Sequence, residues 1–232
     1  MEVIMWTPQL SARVDLFRKV GGQVVAAIEA VPEVHDMAGP LQDAMARLQA
    51  AKEGRDQARA AATGKLKLRD QAEAALDKAV RQVYLDLLSA VGGDKSKAPF
   101  QTAFPGGLTP ILDPVPTRRT PQVAGLEERL KSLEGQAQRA EAVAAARQAF
   151  QASLEAAMTA EGGEANARAD LQTAKTAFIR ELRIVYGRLT VHLGDARKVA
   201  AFFPAFPQKA GHARTGPGNP QSAAHPTPAE AQ

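Results

Sequence analysis

The side chains able to do chemistry are few and poorly spaced for it. The histidines are His35, His192, His212 and His225. No H-x3-H or H-E-x-x-H spacing joins them, so no helix can present two imidazoles to one zinc ion. His192 falls near the end of a helical pattern, where an imidazolium meets the negative end of the helix dipole. A di-iron bundle needs inward carboxylates and an E-x-x-H pair. No E-x-x-H occurs, and Glu127, Glu128, Glu134, Glu141 and Glu155 fall on or beside polar faces, as solvated charges. Cysteine is absent, which removes thiolate nucleophiles and ligands. Gly92-Gly93-Asp94-Lys95-Ser96 lacks the first glycine of a phosphate-binding loop and follows no strand, so it reads as a helix end. No G-x-S-x-G elbow is present. These residues predict neither an enzyme nor a cofactor.

Two aromatic signals remain. Tyr84 and Tyr186 are the only tyrosines. They read as rings packed in a helical core, with a symmetric ligand contact as the alternative. Trp6 stands beside Ile4 and Met5, either stapling the first helix or anchoring a partner.

The elements that must position these residues are helices. The chain has 232 residues, and 45% are apolar, enough for a packed core. Aromatics are only 5%, so that core must be thin. Thr7-Pro8 has N-cap and N1 chemistry. Leu10, Val14, Phe17, Val20, Val24, Ile28 and Val31 then follow at helical spacing until Pro32. A second helix is predicted from about Leu41 to Thr63, turning at Gly64, and a third from about Leu66 to Val91. The prolines of residues 94–121 argue against helix there. Phe100, Phe104, Leu108, Ile111 and Leu112 imply that this crossover packs back. Thr120-Pro121 predicts the start of a helix reaching Ala160, and Gly162-Gly163 a turn into a last helix ending near Leu193. The last helix turns Leu171, Ala174, Phe178, Leu182, Val185, Leu189 and Leu193 inward. Residues 208–232 lack periodicity and read as disordered.

The most specific pattern is internal. A shift of 102 residues sets 81–105 on 183–207 with ten identities in 25 positions. Both tyrosines match, as do the F-x-x-x-F-P endings. The reading is an all-α, antiparallel bundle of two repeated long hairpins plus an N-terminal helix. Its parts are 1–36 (N-terminal helix), 37–105 (first hairpin), 106–121 (crossover), 122–207 (second hairpin) and 208–232 (tail). With these hairpins and endings, the chain resembles uncharacterised bacterial proteins built from duplicated Ala-rich helical hairpins. That resemblance implies no catalytic residue.

The formal charge is +4. Lys95, Lys97, Arg118 and Arg119 within residues 92–121, with Lys209 and Arg214 in the tail, hold most of the excess. That allows weak nucleic-acid binding but makes no stripe on a helix. No apolar run is long enough to cross a membrane. The N-terminus lacks a basic n-region, so cytoplasmic residence is expected. The expected function is a non-catalytic structural or interaction module whose partner is itself, as a homo-oligomer, or another helical protein. Trp6, Phe17, Val24 and Ile28 are its expected contact residues. A granule- or membrane-surface role is a further alternative, resting on the amphipathic first helix.

Overall fold

A computed structural model describes residues 7–112 and 115–204. Trp6, Phe206-Pro207 and the tail lie outside these residues. All the regular elements described are helical: α1 (Val14–Glu29), a single 3-10 turn (His35–Ala38), α2 (Gly39–Ala90), α3 (Ala98–Ala103), α4 (Pro116–Lys131), α5 (Ala137–Leu193) and α6 (Ala196–Ala200).

Two of these elements dominate. At about 1.5 Å per residue, α2 is about 78 Å long and α5 about 86 Å. They pack on each other along their length. Neither turns where the sequence reading put a turn, because Gly64 and Gly162-Gly163 lie inside continuous helix. A glycine in a helix costs only about 1 kcal/mol relative to alanine. Here the flanking residues are strong helix formers, and no lysine or arginine marks a last turn just before Gly162. The chain instead reverses at Gly135, whose φ of 74° is open to glycine at little cost. Arg129 and Lys131 precede it in the last turn of α4. The predicted hairpins are thus unbroken helices, and the short partners of those helices are α1 and α4.

Helix starts also moved. The segment from Thr7 to Arg13 is not helical, and α1 begins at Val14. In the proline-rich crossover, Pro99 and Pro116 sit in the first turns of α3 and α4, where proline fits. Pro121 lies inside α4 rather than opening it.

The core is split between the two ends of the rod. At one end, Phe17, Val24 and Ile28 of α1 meet Leu41 and Leu48 of α2 and Phe178, Leu182, Val185 and Leu189 of α5. At the other, Leu76, Val83 and Leu87 of α2 meet Val123, Leu126 and Leu130 of α4, Val143 and Phe150 of α5, and Phe100, Phe104 and Ile111. Between them lies a stem. From Leu48 to Leu76, a rise of about 42 Å, only Ala62 of α2 is buried.

The 102-residue shift reaches beyond the stretch that revealed it. It carries α1 onto α4, both 16 residues long. Buried positions also fall on buried positions: Val24 on Leu126, Ile28 on Leu130, Ala38 on Ala140, Leu48 on Phe150, and Leu76 on Phe178. Each end therefore has a short helix, halves of both long helices, and an aromatic segment. Tyr84 meets Phe100 and Phe104 edge-on, both at 5.1 Å, and Tyr186 meets Phe203 at 5.3 Å. Both tyrosines thus pack against the aromatic segments that follow the long helices.

Candidate functional site

Of the residues expected to meet a partner, Phe17, Val24 and Ile28 are covered within the chain, and Trp6 lies outside the described residues. Phe17, Val24 and Ile28 are each 0% exposed. The ring of Phe17 meets that of Phe178 edge-on at 5.5 Å. The stripe of α1 is therefore a core face, which corrects the expectation of a helix seeking an outside surface.

Behind Phe17 lies the least expected side chain in the core. Lys175 of α5 is nine-tenths buried. Its Nζ donates to the carbonyl oxygens of Leu10 at 3.0 Å and Ala12 at 2.8 Å. It also sits 5.5 Å from the centre of the Phe17 ring, within cation–π range. Burial, with a smaller contribution from the nearby Arg55 guanidinium, lowers its pKa from the ordinary lysine value. No carboxylate lies within ion-pair distance of it among the described residues. These bonds also bear on the late start of α1. They hold two carbonyls of the preceding segment, which a helix begun at Thr7 would use for itself.

Lys175 opens onto a cavity of about 400 Å³ between the start of α1, α2 and α5. Arg13, Lys52, Arg55 and Arg168 line it as well, against the single carboxylate of Asp15. At its rim, Asp56 takes Lys52 at 3.1 Å and Arg55 at 3.3 Å, and Glu164 takes Arg168 at 2.8 Å. Sequence reasoning missed this site, although a signal was present. Lys175 stands four residues after Leu171 and three before Phe178, on the stripe that faces inward.

The 102-residue shift supplies a control within the molecule. Lys175 falls on Glu73, Phe17 on Arg119 and Ile179 on Asp77. At that end the buried cation has its counter-ions: Arg119 Nη1 lies 2.6 Å from Glu73 and 3.2 Å from Asp77. Nearby, Glu127 is 4% exposed. It accepts two bonds from Arg147, at 2.5 and 3.1 Å. Glu127 is thus a buried ion-pair member, not the solvated charge expected. It is also the first cause of the raised pKa of Arg147.

The cations of residues 92–121 are partly used up. Arg119 is buried in its ion pairs, Lys97 donates to the Val91 carbonyl at 3.1 Å, and Lys95 lies over the Tyr84 ring. His35 Nδ1 lies 2.9 Å from the Pro32 carbonyl, and His192 is in the last turn of α5. No group of three or more potential metal ligands forms among the described residues. None of the helices described is long and apolar enough to cross a membrane. The chain matches no family model, no curated protein and no solved structure.

Proposed function

We propose that the protein is a non-catalytic structural module that assembles with a second copy of itself along the stem. The observation that supports this is the thinness of that stem. An amphipathic helix is stable when its apolar stripe is buried against other elements. Over the stem, Ala62 and Ala157 are the only apolar side chains buried. Leu154, half-covered, and Met158, exposed, stand one turn apart on one face of α5. A second pair of long helices laid on this one would cover them, turning two helices into four. The two ends would then act as like blocks held about 42 Å apart. Their shared plan and register support descent from one duplicated unit of short helix, long helix and aromatic cap.

Light scattering on the full chain over a range of concentrations tests the reading. The expected result is a dimer, with Met158→Glu giving a helical monomer. A parent chain that stays monomeric at every concentration overturns it.

A further inference from the structure

We propose that the cavity around Lys175 is a binding site for a small molecule carrying a phosphate or pyrophosphate group. This goes beyond the assembly reading and does not depend on it, since the cavity lies where the stem meets the α1 end. Three observations carry it.

The first is convergence. Cations reach the cavity from three elements: Arg13 at the start of α1, Lys52 and Arg55 from α2, and Arg168 and Lys175 from α5. Only Asp15 opposes them among the lining residues. Asp56 and Glu164 hold three of the five at the rim, leaving Arg13 and Lys175 without a carboxylate partner among the described residues.

The second is the comparison with the other end. There, the position of Lys175 is taken by a carboxylate, and the buried cation Arg119 is neutralised by two acidic side chains. In the same surroundings Lys175 has only two carbonyl oxygens and a ring. The counter-charge that the fold builds in at one end is missing at the other, and a cavity stands at that place.

The third is the chemistry of the donors. Guanidinium groups bind oxyanions through paired, parallel N–H bonds, and an ammonium adds a compact point charge. Five cations against the carboxylates of Asp15, Asp56 and Glu164 leave two positive charges in excess. They suit a group with several oxygens and more than one negative charge. The roughly 400 Å³ of space admits a phosphorylated small molecule.

The test is calorimetric titration of the full chain with inorganic pyrophosphate, followed by competition with a short DNA duplex. The expected result is saturable one-to-one binding. Arg55→Gln should weaken it at least tenfold, and Arg180→Gln, on a separate surface hollow, should leave it unchanged. Lys175→Met should abolish binding if its helical content matches the parent, while Arg13→Gln provides an independent variant outside the core. No saturable heat at millimolar pyrophosphate overturns the proposal. So does binding that Arg55→Gln and Arg13→Gln both leave unaltered, or binding of the duplex alone.

Discussion

The two ends of this rod are built on one plan and held together by different forces. At the Phe17 end, the buried contact between the short helix and α2 is apolar, with Val25 packed in the core and Met45 against it, and an exposed hydrogen bond from Gln42 to Glu29 joins the two helices. At the Phe150 end the same positions carry Glu127 and Arg147, a two-point ion pair. Phe17 and Ile179 at one end correspond to Arg119 and Asp77 at the other. Among the described residues, the ion pairs that join different helices all lie at the Phe150 end. The backbone plan therefore tolerates either solution. An apolar contact gains from removing surface from water. A buried ion pair must recover a large desolvation cost through geometry. The same scaffold offers both to direct comparison.

Exchanging residues between the ends is the sharpest way to break the comparison. Glu127→Ala strands the Arg147 guanidinium, 19% exposed, and should destabilise the chain by about 3 kcal/mol. Glu127→Val with Arg147→Met installs the pair of the other end. It should fall between neutral and about 2 kcal/mol more stable than the parent. Urea unfolding of the three chains measures both values. A double variant as unstable as Glu127→Ala would show that the two ends are not interchangeable at this contact.

A smaller effect is expected at Gly21 of α1. A side chain on Gly21 would meet Met45 Sδ at 2.6 Å and Phe178 Cε2 at 2.9 Å. The other end has Val123 and Leu76 where this one has Gly21 and Phe178. Small and large residues have thus traded places. Gly21→Val should cost about 1–3 kcal/mol through overpacking. Combined with Phe178→Leu, it should cost less than the two single losses added together. Strict additivity in thermal unfolding would mean that the two sites do not share one packing volume.

The smallest effect tests the stem. Gly64 has open space around its Cα, and its backbone lies within α2. Gly64→Ala should raise stability by about 0.5–1 kcal/mol. Under the alternative of a hairpin turn at Gly64, the same change would lower it. Circular dichroism melts decide the sign.

Much of this architecture was legible in the residues. The stripe from Val14 to Ile28 and the one from Phe178 to Leu189 both mark buried faces. The apolar crossover residues Phe100, Phe104 and Ile111 do pack back. The helix reversals were harder to read, because glycine permits a turn without requiring one. Gly64 and Gly162-Gly163 are absorbed into helices, while Gly135 turns the chain. The candidate site was the least legible. Phe17 was singled out for its apolar face, yet its neighbour Lys175 is 158 positions away, and no local pattern joins them.

The sequence by itself determined that the chain is helical and which faces are apolar. Those properties are local, set by side-chain type at a spacing of 3 or 4 residues. Only the tertiary structure decided that the long helices run unbroken and that α1 is covered. It alone set Lys175 among cations and Arg119 between carboxylates, because a buried charge is defined by what the rest of the chain places around it.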